Sequence, residues 1–199
     1  MAAYALYHGL TTVRSSTAFI PWRTGTSSAI MNLTAGRPRH DVKGSVMRGA
    51  YRVLANLIAL LVVVQAAAIA YAVAGLGIWV EEGGVLDKAA MESDEAPFDE
   101  VVGFMIHGMN GMMLIPLVAL VLLIVSFFAK VPGGIAAAGG LLALIVLQVT
   151  LGIFGHEIAV SGLLHGINAL IIFGGAIHAG RLPGRATTVD RAQAAPARV

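Results

Sequence analysis

The chain of 199 residues contains no cysteine, which excludes disulfides, iron–sulfur clusters and thiolate chemistry. Charge is scarce: Asp, Glu, Lys and Arg make up 12% of the sequence, against about 25% in an ordinary soluble domain. A water-soluble enzyme does not fit that shortage. Hydrophobic residues instead make up 57%, and the mean hydropathy is +0.82. Disorder throughout the chain is excluded too, because disordered chains are poor in apolar residues. The length suits one compact domain.

What is present is a set of four continuous apolar stretches, at Val53–Val80, Val101–Ala129, Gly133–Gly155 and Ile158–Gly180. About 20 apolar residues in a helix cross the hydrocarbon core. The runs are unbroken rather than alternating, so they read as helices and not as barrel strands. The expected fold class is all-α: a polytopic four-helix transmembrane bundle over residues 47–181.

Charge placement predicts the orientation. Arg14, Arg23, Arg37, Arg39, Lys43 and Arg48 precede the first span, with Arg52 at its edge. Lys130 lies between spans two and three, and Arg181, Arg185, Arg191 and Arg198 follow span four. The acids Glu81, Glu82, Asp87, Glu92, Asp94, Glu95, Asp99 and Glu100 crowd the first loop, beside Lys88 alone. The positive-inside rule then puts both termini in the cytoplasm and the acidic loop outside. Arg outnumbers Lys ten to three, and Ala, Gly and Val abound. That fits a GC-rich bacterial genome and hence a bacterial cytoplasmic membrane. Residues 1–46 read as a basic, polar, disordered tail or as sequence upstream of a true start at Met47, in preference to a targeting peptide. Residues 182–199, rich in Ala, Pro and Arg, read as a disordered cytoplasmic tail.

The spans repeat. Span two carries Met105-Ile106-His107-Gly108-Met109-Asn110-Gly111-Met112, and span four carries Leu163-Leu164-His165-Gly166-Ile167-Asn168-Ala169-Leu170. In span one, Leu57-Ile58-Ala59-Leu60 leads to Gln65; in span three, Leu141-Leu142-Ala143-Leu144 leads to Gln148. Two related helix pairs are expected, with spans two and four equivalent about a pseudo-twofold axis. His107 and His165 would then share one depth, roughly 9–10 Å below the outer edge. Two imidazoles at one level on facing helices suit axial ligation of a haem iron. Gly103 and Gly111 flank His107, and Ser161 and Ala169 flank His165, at helical spacing. These small residues would leave room for a flat macrocycle. Asn110 and Asn168 could bond a propionate or orient an imidazole. The alternative is that the same residues are devices for close helix packing in lipid.

Other polar residues carry weaker signals. His156 beside Glu157 reads as a solvated edge, and His178 as an interface residue on a different face from His165. His8 and His40 belong to the tail. Gln65 and Gln148 are expected to face each other, as an interhelical hydrogen bond or as a substrate or quinone contact. Trp79 and Tyr71 read as interface anchors. The methionines at 105, 109, 112 and 113 read as packing, and the acidic loop as solvated, without calcium-loop spacing.

On these residues the stretch from Val53 to Gly180 resembles one four-helix half of the haem A synthase family. That family is built from two such bundles, each with one His on its second helix and one on its fourth, a pair that can bind a haem. Gln148-Val149-Thr150-Leu151-Gly152 is similar to the family's third-helix Gln-x-x-Leu-Gly segment. The chain also resembles a small uncharacterised four-helix membrane protein family of actinobacteria. It departs from haem A synthase at Phe104 and Gly108, where that family's Glu-x-x-His-Arg has the acid and the arginine. The second bundle and the outer-loop cysteine pair are missing as well. The resemblance therefore implies a haem-binding fold more than haem oxidation.

The expectation is a membrane b-type haem protein, with His107 and His165 as iron ligands and no catalytic residue. Its role would be electron transfer or haem handling at the outer side. The alternatives are a cofactor-free accessory membrane subunit, or a haem A synthase-like enzyme acting as a homodimer. Membrane lipid surrounds such a protein, and a quinone or a redox protein would be its partner. The basic tails are accounted for by topology, so no nucleic acid is expected.

Overall fold

The computed structural model describes residues 39–194 except Asp94 and His156, with side chains described over residues 42–185. Helices long and apolar enough to cross a membrane run over Val42–Glu81, Asp99–Ala129, Gly134–Phe154 and Ala159–Arg185. The chain is all-helical across these spans, as the apolar runs require: a backbone in lipid must satisfy its polar groups within the segment. A short helix at Lys88–Glu92, capped by the Asp87 side chain accepting from the Ala90 amide, interrupts the first loop.

The turns explain where the spans stop. Lys130 ends span two in the left-handed conformation (φ 51°), and Gly133 takes φ 73° before span three starts. Pro132 between them cannot donate a backbone hydrogen bond, so the helix cannot run through. The Tyr51 hydroxyl donates to the Gly134 carbonyl at 3.0 Å and ties span one to this turn.

The spans pack in cyclic order, one against two and four, and three against two and four. Spans two and four therefore lie on a diagonal of the bundle. The large apolar side chains of the core all lie toward the end that carries Arg52, Lys130 and Arg181. They include Tyr51, Ile58, Leu122, Leu141, Ile145 and Ile172. Beyond Ile145, which stands at the asparagine level, the buried positions toward the acidic end are Ala68, Ala72, Gly75, Gly103, Asn110, Ser161 and Asn168. None is larger than asparagine.

The helix pairs match residue by residue. Spans one and three keep a constant offset of 83 positions, which pairs the buried sets Tyr51/Gly134, Ala55/Ala138 and Ile58/Leu141 and reaches Gln65/Gln148. This corrects the register of the sequence echo: Leu61, not Leu60, is the counterpart of Leu144. Spans two and four need two offsets. Gly103/Ser161, His107/His165 and Asn110/Asn168 are 58 apart, whereas the buried Ile115/Ile172, Ala119/Ala176 and Leu122/Ala179 are 57 apart. Span two thus holds one extra residue below its asparagine. The structure absorbs it in a single π-helical turn, Asn110–Leu114, where the Ile115 amide donates to the Asn110 carbonyl. A π turn widens the helix by one residue, and such turns occur often at functional sites.

Two boundary expectations are corrected. The first helix is already formed at Arg39 and runs 43 residues to Glu81, so residues 39–46 are helical, not a disordered tail. The last helix continues through Pro183 to Ala194, so most of 182–199 is helical as well. Pro183 sits in a bundle-facing, buried position, and neighbouring helices make an internal proline tolerable in a membrane helix.

Candidate functional site

The repeat delivers two histidines to the bundle axis. His107 and His165 project from diagonal spans, with ring centroids 6.0 Å apart and planes tilted by 51°. Both are half-buried. Each is held from behind by the neighbouring helix of its own pair. His107 Nδ1 lies 3.2 Å from the Gln65 carbonyl, and His165 Nδ1 lies 3.0 Å from the Gln148 carbonyl. A carbonyl oxygen can only accept, so Nδ1 carries the proton and donates in both cases. A neutral imidazole fixed this way keeps its lone pair on Nε2, the ordinary arrangement of a metal-ligating histidine. Neither Nε2 has a hydrogen-bond partner among the described residues.

The glutamines therefore act here through their main chain. They do not form the side-chain pair across the bundle that their symmetry suggested. The Asn168 amide donates to the Leu144 carbonyl at 2.9 Å and to Gln148 Oε1 at 2.7 Å. The Asn110 amide donates to the Leu61 carbonyl at 3.2 Å. Both asparagine amides are thus engaged within their own helix pair, a turn below the imidazoles, and neither orients a ring. In the first pair Gln65 Oε1 and Asn110 Oδ1 are buried without a hydrogen-bond partner.

The small residues serve close approach between neighbouring helices. A Cβ on Gly103 would run into the Ala68 carbonyl and stand 3.0 Å from the Ala72 side chain. A Cβ on Gly111 would meet the Gln65 amide. Ser161, the counterpart of Gly103, donates its hydroxyl to the Leu151 carbonyl at 2.8 Å. Gly103 and Gly111 therefore clear space for span one rather than beside the diagonal between the histidines. Ala169, the counterpart of Gly111, is partly buried. The residue that gives His165 its room is Gly152, whose added Cβ would stand 3.1 Å from Nδ1 and Cε1 of the ring. The Gln-x-x-Leu-Gly segment carried that glycine in the sequence.

The remaining polar residues stay apart from the pair. His178 is exposed near the basic end. His8, the side chain of His40, and His156 lie outside the described residues. Met105, Met109, Met112 and Met113 point outward, not into the core. Trp79 packs against Phe98, ring centroids 5.7 Å apart, at the acidic end.

A protein-only site needs about four ligands, and among the described residues no group of three His, Asp or Glu could hold an ion. Two imidazoles can complete a metal whose other ligands come from a macrocycle. A metal–imidazole bond is about 2.0–2.1 Å and the ring adds about 1 Å to its centroid, so two axial imidazoles on one metal stand about 6 Å apart. The histidine pair has that separation.

Residues 96–156 of the chain match a family of unknown function, DUF6220. The matched stretch takes in spans two and three, with His107, Asn110 and Gln148, and stops short of His165. Comparison with curated proteins and with solved structures finds no match.

Proposed function

We propose that this is a multi-pass membrane protein that binds one b-type haem on the bundle axis, with His107 and His165 as axial ligands. The observation that carries this reading is the matched pair of imidazoles, 6.0 Å apart, each proton committed to a main-chain carbonyl. Held by His107 and His165, a haem would supply one-electron transfer rather than oxygen binding. The chain's own task is to fix both rings and present the cofactor near the acidic end. Under the positive-inside rule that end is extracytoplasmic, so the role is electron transfer with a quinone or redox protein, or haem handling, at that face. An enzyme of the haem A synthase type is a weaker reading, since Phe104 occupies the position of that family's acid and is exposed.

A cofactor-free accessory subunit is the competing reading. It is favoured by the way Gly103, Gly111 and both asparagine amides are used for packing.

The test is a visible spectrum of the full-length protein, purified in detergent after expression with ample haem, before and after dithionite. About one haem per chain and a sharp reduced α-band are expected. His107→Ala and His165→Ala should each lose tight haem, and His178→Ala should keep it. At about 100-fold excess over its dissociation constant, haem should stabilise the wild-type fold by about 3 kcal/mol, and neither axial variant should respond. A folded, colourless wild type, or equal haem in all three variants, overturns the assignment.

A further inference from the structure

A second site lies at the opposite end of the bundle, away from the histidines. A groove between spans one and four is lined by Arg52, Asn56, Ile177, Gly180, Arg181 and Gly184. Arg52 and Asn56 are four residues apart, and Gly180 and Gly184 are four apart, so each set shares one face of its helix. The glycines shape the groove. A Cβ on Gly180 would collide with the Asn56 side chain, and one on Gly184 would stand 3.2 Å from Arg52 Nη2. The amide and one guanidinium therefore lie directly over the backbone of span four.

We propose that this groove binds the phosphodiester headgroup of an anionic phospholipid in the adjoining leaflet. Two guanidinium groups and an amide converge there, and arginine is suited to bidentate recognition of phosphate oxygens. Among the described residues no carboxylate competes: their acidic side chains lie at residues 81–100 and at Glu157, toward the other end. Among the described residues, Arg52 and Arg181 form no ion pair, and the exposed Asn56 side chain makes no hydrogen bond. Asn56 is one turn deeper than Arg52, about 6 Å along the helix. At that depth an amide facing lipid is costly unless it finds a polar partner. The phosphate and glycerol oxygens of a lipid supply one, while the apolar Ile177 borders the acyl chains. Basic pockets between transmembrane helices are a recurrent way of holding lipid headgroups. The site is independent of haem.

The test is native mass spectrometry of the delipidated full-length protein, titrated with phosphatidylglycerol, with phosphatidylcholine, and with inorganic phosphate. Phosphatidylglycerol should bind in preference to phosphatidylcholine and persist in millimolar phosphate. Arg52→Gln and Arg181→Gln should each weaken phosphatidylglycerol binding about fivefold, the contribution of one interfacial arginine. Lys130→Gln, at the same end but outside the groove, should leave it unchanged, and all three variants should retain wild-type thermal stability. Equal binding of the two lipids, or an equal loss in Lys130→Gln, overturns the site. Displacement by inorganic phosphate would mark a soluble-anion site and overturn the lipid assignment.

Discussion

The two halves of this bundle are built on different plans. The half toward Arg52, Lys130 and Arg181 is filled by interlocking side chains such as Tyr51, Ile58, Leu122, Ile145 and Ile172, all essentially sealed from solvent. The half toward the acidic loop buries only small residues and amides, and its axis carries two half-buried imidazoles. Four helices ordinarily need large side chains along their common axis to reach the density of a protein interior. One half meets that need from its own sequence. The other brings its helices together in pairs, through Gly103 against Ala68 and Ser161 against the Leu151 carbonyl, and places two imidazoles where a core would be. The first half is the foundation on which the second holds its geometry.

The comparison breaks if the halves respond alike to truncation. Leu122 is fully buried and Met109 is exposed. Leu122→Ala should destabilise the fold by about 2–5 kcal/mol, and Met109→Ala by less than about 0.5 kcal/mol, both read by thermal unfolding in detergent. The next contrast lies within the acidic half. Gly103→Ala drives a methyl group into the Ala68 carbonyl and should cost about 1–3 kcal/mol. Gly108→Ala meets nothing within 4 Å and should be neutral or stabilising by up to about 1 kcal/mol. The smallest effect separates the two asparagines. Asn168 donates two hydrogen bonds and Asn110 one. Asn168→Ala should therefore exceed Asn110→Ala by about 0.6 kcal/mol, the average for such bonds between membrane helices. Equal costs would mean that the Gln148 contact adds nothing.

Much of this was legible in the residues. Four unbroken apolar runs can only be helices in lipid, and the His-Gly-x-Asn repeat placed two imidazoles on equivalent helices. The atoms that hold them were harder to read. Gln65 and Gln148 stood out as buried amides, yet the groups that bond the histidines are their backbone carbonyls, and every residue has one. The methionines of span two looked like packing, but in a membrane an outward face is as apolar as a core, so composition does not separate the two. The extra residue in span two was hidden for a related reason: one more apolar position in an apolar run leaves no gap in hydropathy. Only the burial pattern, shifted from an offset of 58 to 57, exposes it.

That extra residue has a use. A helix lengthened by one amino acid rotates everything beyond the insertion by about 100° relative to what precedes it. In span two such a rotation would have turned either the histidine or the core away from the axis. The wide turn at Asn110–Leu114 takes up the whole difference, so that both ends of span two keep their faces toward the axis. It works as a coupling between two shafts: the packing end and the histidine end of one helix each keep their own register.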